Sequence, residues 1–120
     1  MESILTSTKQ LAGLTEEYDH FDPNIIMYIN SVFLILRQLG VGPSEGFAIR
    51  DGVTIWEDFI SDDPILCEAV KAYMGAKVRM KFDPPTNPNL LKALTEDIAE
   101  SESRLCMEGD FSKFTGEEET

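Results

Sequence analysis

From Ile25 to Leu39 apolar side chains return at three- and four-residue intervals: Ile25, Ile29, Val32, Leu36 and Leu39. That period belongs to an α-helix with one buried stripe. Ile26, Phe33 and Ile35 widen the stripe, which predicts a central helix covered on more than one side. Asp22 followed by Pro23 supplies a start, an acceptor side chain and then a ring that already holds a helical φ. Gly40 supplies the stop.

The same grammar repeats along the chain. A short helix is expected over residues 3–14, with Ser3 as cap and Ile4, Leu5, Leu11 and Leu14 as its apolar contacts. The polar stretch TEEYDHFDP reads as a loop. Residues 40–53 hold four glycines and a proline, which predicts a long loop with a brief extended piece at 47–50. Thr54 with Glu57 three residues on reads as a capping box opening a short helix, TIWEDFI. Trp56, Phe59 and Ile60 share its buried face, and Trp56, Phe59 and Phe47 are read as core.

Asp63-Pro64 starts another long helix, with Leu66, Val70, Tyr73 and Met74 on one face. It stops at Asp83, because the residue before Pro84 avoids helical geometry. Asn87 or Asn89 caps a last helix striped by Leu91, Leu94, Ile98 and Leu105. Glu96, Asp97, Glu100 and Glu102 are assigned to its opposite, solvated face, and Gly109 to its end. The reading is all-α: one small bundle of about five helices, three of them long, joined by Pro/Gly-rich loops. Residues 1–107 make the helical domain and 108–120 an acidic, flexible tail.

Charge changes this picture. The chain carries a formal net charge of −12, which disfavours sequence-independent nucleic-acid binding and anionic membranes. Yet Lys71, Lys77, Arg79 and Lys81, four of its ten cations, crowd one helix end. Cations at a helix C-terminus offset the partial charge of its free carbonyls by roughly 0.3–1 kcal/mol each. That explains the place but not the number, and a basic edge also complements an acidic face on another copy.

Chemistry is scarce. Cys67 and Cys106 form no metal-binding pair and are read as free thiols, and His20 is the sole histidine. Asp19, His20 and Asp22 are too close in sequence to converge on an ion, so YDHFD reads as a solvated loop. Glu57-Asp58, Asp62-Asp63 and Glu96-Asp97 read as caps or solvated faces. GVGPSEG lacks the spacing of a phosphate loop. No catalytic residue, cofactor site or metal site is assigned, and the chain is not read as an enzyme. The N-terminus MESILTSTKQ lacks the apolar core of a signal peptide, and VFLILRQLGV is too short and polar to span a bilayer. Phe111 and Phe114, aromatics in a charged tail, read as anchors for a partner.

INSVFLILRQLGVGPSEGF, then TIWEDFISDD, then VKAYMGAKVRMKFDPPTNP occur here in an order that resembles the head–tail connector (adaptor) proteins of long-tailed bacteriophages of Gram-positive hosts. The likeness covers about residues 3–107. It implies a helical structural protein of the virion neck, assembled in the host cytoplasm. It implies a ring, typically of twelve copies, between the portal protein and a stopper or tail-completion protein, with double-stranded DNA passing unbound through the lumen. The part expected to reach the portal is residues 104–114, with Arg104, Leu105, Met107, Phe111 and Phe114 as contacts. The subunit seam expected from charge sets Lys77, Arg79 and Lys81 against Glu96, Asp97 and Glu100 of the next copy. The rival expectation is an acidic DNA mimic, or another small regulator, that binds a basic host protein.

Overall fold

Pro64 and Pro84 bracket the helix around which the others are arranged. The structure, a computed structural model, describes residues 3–14 and 22–119, of which 109–119 as backbone alone. It contains α1 (Ile4–Leu11), α2 (Asp22–Gln38), α3 (Pro64–Phe82) and α4 (Pro88–Glu119). The fifth expected helix is a single 3₁₀ turn, Trp56–Asp58. α3 packs against each of the other three helices. Its Cys67, Val70, Tyr73, Met74, Gly75 and Val78 are buried, so two faces are in use rather than one stripe.

The ends of the helices follow their local chemistry. Thr6 N–H donates to Ser3 Oγ at 3.0 Å, and Leu66 N–H to Asp63 Oδ1 at 3.0 Å. Asn87 rather than Asn89 caps α4, its Oδ1 accepting from Asn89 N at 2.8 Å and Leu90 N at 3.3 Å. At the end of α2, Val41 N–H reaches Leu36 O at 2.9 Å and Gly40 N–H reaches Arg37 O at 3.0 Å. This pair of hydrogen bonds closes the helix only because Gly40 accepts φ +84°. Buried Val41 and Leu36 complete the motif with an apolar contact. α1 ends three residues earlier than its pattern suggests, by the same device at Gly13.

α2 is covered by α3 and, separately, by the loop that follows it. Phe33 lies 4.8 Å from Phe59, 5.1 Å from Phe47 and 6.2 Å from Trp56, centroid to centroid. The three loop aromatics therefore belong to the core, as expected. Trp56 also buries a donor, and its indole N–H meets Ser7 Oγ at 2.6 Å. Asn30 fastens the loop with two 2.8 Å bonds to the backbone N–H and C=O of Ile49, so residues 47–50 run alongside α2 without a strand partner. Met27 and Leu34 keep the outer face of α2 open. Of the four helices, α3 is therefore the better description of the centre.

Three local expectations are corrected. Thr54 does not open a capping box. Its carbonyl accepts from Ile4 N at 2.8 Å, and Asp58, not Glu57, reaches back to Ile55 N at 3.4 Å. Asp22 is used differently from a simple cap, since its carboxylate holds the Lys9 ammonium at 2.8 Å and ties α1 to α2. The rest of YDHFD, with His20, lies outside the described residues. Finally, α4 does not stop at Gly109, and the backbone of 109–119 is helical where an irregular tail was expected. A glycine inside a helix costs only about 1 kcal/mol against alanine. Extending an existing helix fixes one residue per hydrogen bond, and no proline interrupts this one.

The crossing of α1 and α3 is close. A Cβ at Gly75 would stand 2.6 Å from Leu11 Cβ. Neither atom is the free end of a flexible side chain, so the helices must separate to admit it. Gly75→Ala is therefore expected to destabilise the fold by roughly 1–2 kcal/mol, the packing cost outweighing alanine's better helix propensity. Urea denaturation followed by circular dichroism measures it.

Candidate functional site

α3 and α4 are joined by five residues that include Pro84 and Pro85. α3 and α4 run antiparallel, and Tyr73 O–H donates to Glu102 Oε2 at 2.8 Å midway along them. Glu102 was expected on the solvated face with Glu96, Asp97 and Glu100. It falls four residues after half-buried Ile98 and three before buried Leu105, which places it on the packed side. A carboxylate there needs a donor, and Tyr73 supplies it. Nothing in the spacing of Glu102 alone distinguishes it from its neighbours; the signal was its register with Ile98 and Leu105.

Burial raises the pKa of Tyr73 first, and the hydrogen bond and charge of Glu102 raise it further. Tyr28, on α2, is raised by burial and then by the same carboxylate. Burial also holds the Cys67 thiol up, against the nearby Lys71. Cys67 is buried, Cys106 half-buried, and both are free.

The cations at the end of α3 divide by environment. Lys77 is half-buried, while Arg79 and Lys81 are exposed. The Lys81 ammonium stands 5.9 Å from the Tyr28 ring centre, and Tyr28 meets Phe82 edge-on at 6.0 Å. Among the described residues none of these three cations forms an ion pair within the chain, whereas Lys71 pairs with Glu68 at 3.2 Å. Glu96, Asp97 and Glu100 are exposed on α4. Glu100 bonds Arg104 one turn on, so it is partly neutralised. The structure thus leaves both expected halves of the seam on the surface, away from each other's ion-pair range.

Between α3 and α4 the surface sinks into a groove of about 560 Å³. Leu105 and Leu66 line it, and Ile65 and Met107 stand on its lips, 85% and 70% exposed. It continues past Ala72, Ser101 and Arg104 into a shallower trough bounded by Leu94, Asp97 and Glu100. Of the residues assigned to portal contact, Arg104 and Met107 are exposed but Leu105 is 3% exposed and packs into the core. The side chains of Phe111 and Phe114 lie outside the described residues. Among the described residues, no three His, Cys, Asp or Glu side chains gather as a metal site would need. No described helix is long and apolar enough to cross a membrane.

A family model described as phage connector protein matches residues 4–112 of the chain. No curated protein matches it. No solved structure matches it.

The Tyr73–Glu102 contact sets a pH dependence. The folded chain keeps the Tyr73 proton to higher pH than the unfolded chain does. The contribution is complete below the ordinary tyrosine range, about pH 10, and is lost as pH rises above it. Tyr73→Phe is expected to flatten the alkaline fall of stability, measured by urea denaturation at half-unit steps from pH 8 to 11.5.

Proposed function

The chain belongs to the phage connector protein family, and on that basis we propose that it closes a ring at the junction of head and tail. The observation that carries this reading is the extent of the family match, from the first residue of α1 to deep in α4. The ring, typically of twelve copies in the proteins it resembles, sits between the portal protein and a stopper or tail-completion protein. Genomic DNA passes through its lumen. A net charge of −12 suits that passage, since a wall of like sign does not hold phosphate. A ring of identical subunits requires one face of each copy to meet a different face of the next. Lys77, Arg79 and Lys81, which form no ion pair among the described residues, and the exposed Glu96, Asp97 and Glu100 are suited to be those faces.

The far half of α4 is the portal-facing element in this reading. Buried Leu105 anchors the helix to the body, Arg104 and Met107 begin its exposed surface, and Phe111 and Phe114 belong to the part that reaches the portal. Residues 1–107 then act as the body and 108–120 as the docking extension. The work is done by surfaces, and no step of it requires a reaction.

Charge reversal tests the seam. Arg79→Glu with Lys81→Glu is expected to reduce ring formation on portal particles, scored by negative-stain microscopy, and to change its salt dependence. Exposed pairs are worth about 0–1 kcal/mol each, so the effect lies in register and specificity. Rings of unchanged yield and unchanged salt response would refute the seam. Absence of the wild-type chain from portal-bound necks would refute the connector reading itself.

A further inference from the structure

The two ends of the α3–α4 hairpin are opposite in shape and in charge. Counting antiparallel from the Tyr73–Glu102 bond, Phe82 stands level with about residue 93 of α4, given equal rise along both helices. The first turn of α4 therefore projects past the end of α3. It carries Leu90, 57% exposed, Leu91, 38% exposed, and the cation Lys92. Residues 77–92 hold four cations, Lys77, Arg79, Lys81 and Lys92, against the single acid Asp83. At the other end lies the groove with Ile65, Leu66 and Leu105, a concave apolar surface. Asp63 and Glu108 edge it, Asp97 and Glu100 edge its continuation, and Arg104 is its one cation, already bonded to Glu100. One end is a convex apolar knob in a basic surround; the other is an apolar socket in an acidic one.

We propose that the groove between α3 and α4 receives the projecting first turn of α4 from a second copy of this chain. Leu90 and Leu91 enter between Ile65 and Leu105, while Lys92 and the nearby Arg79 and Lys81 meet the acidic rim. The occupant is a second copy because both halves of the joint are on the same chain and complement each other in charge. Leu91 and Leu105 are separated by about 21 Å along α4, so a chain cannot fill its own groove. Each copy gives one knob and offers one socket, which makes the contact heterologous and repeating. It rests on the connector reading and supplies its subunit joint: the acidic half of the charged seam becomes the rim of an apolar socket.

Cysteine pairs test it on the full chain assembled on portal particles. In a Cys106→Ser background, Leu91→Cys with Ile65→Cys is expected to yield, on oxidation, a ladder of covalent multimers on a non-reducing gel. Either substitution alone should give none. Both positions are exposed, so folding is checked simply by the circular dichroism of the reduced protein. Separately, Leu90→Glu with Leu91→Glu (knob) and Ile65→Glu (socket) should each lower ring yield about tenfold or more, as loss of a central apolar anchor does. An equimolar mixture of these two variants should stop at pairs, since only one joint can form. Rings that persist with either variant, or a groove cysteine shielded in the ring without a ladder, overturn the joint and leave the connector reading standing. Wild-type chain that never associates with portal fails that reading instead.

Discussion

The other three helices all pack against α3. It is bounded by an Asp-Pro at each end, so its length is fixed by covalent chemistry and not by packing. One side of it admits α1 at a distance only glycine allows, and the same helix meets α2 and α4. Its inward side chains, Cys67, Val70, Tyr73, Met74 and Val78, are largely apolar, Glu68 and Lys71 pair on its outer side, and Lys77, Arg79 and Lys81 follow in its last turns. Arg79 and Lys81 are exposed and Lys77 is half-buried, so the basic edge lies where the last turns of the helix reach the surface.

The acidic excess has a matching origin. α4 is packed along one side only, by Leu105 and in part by Ile98 and Leu94, and leaves the remainder of its circumference to water. Carboxylates fill that remainder, except where Glu102 turns inward and is met by Tyr73. A hairpin of one basic-ended and one acidic helix is polar along its length without any single strong ion pair. Charge separated in this way favours orientation over strength in any contact the hairpin makes.

Much of this was legible in the residues. The Asp-Pro starts, the Gly40 stop and the apolar stripe of α2 named their helices because each is a local cause with a local effect. The aromatics of the 41–60 loop were legible as core because large aromatic side chains at helical spacing usually point inward, and they do pack on Phe33. What escaped the reading was set by distant partners. Lys9 with Asp22, Ser7 with Trp56 and Asn30 with Ile49 join segments whose closeness no spacing records. Thr54 looked like a cap, but its carbonyl was claimed by Ile4 across the fold. Gly109 looked like a stop, yet a glycine lacking a tertiary reason to turn stays in the helix. Of the candidate surfaces, the charges were visible from sequence, whereas the groove was not, since it is a property of how two helices splay.

α4 spans 32 residues and α3 only 19, so α4 outlasts its support at both ends. Counted from the Tyr73–Glu102 bond, α3 flanks α4 over about residues 93–111, where Ile98 and Leu105 fix it to the body. From Glu102 to Glu119 is about 25 Å of helix, so a change of about ten degrees in the direction of α4 would carry its far tip by about 4 Å. The angle at which α3 holds α4 therefore decides what the two extremities of the chain can reach.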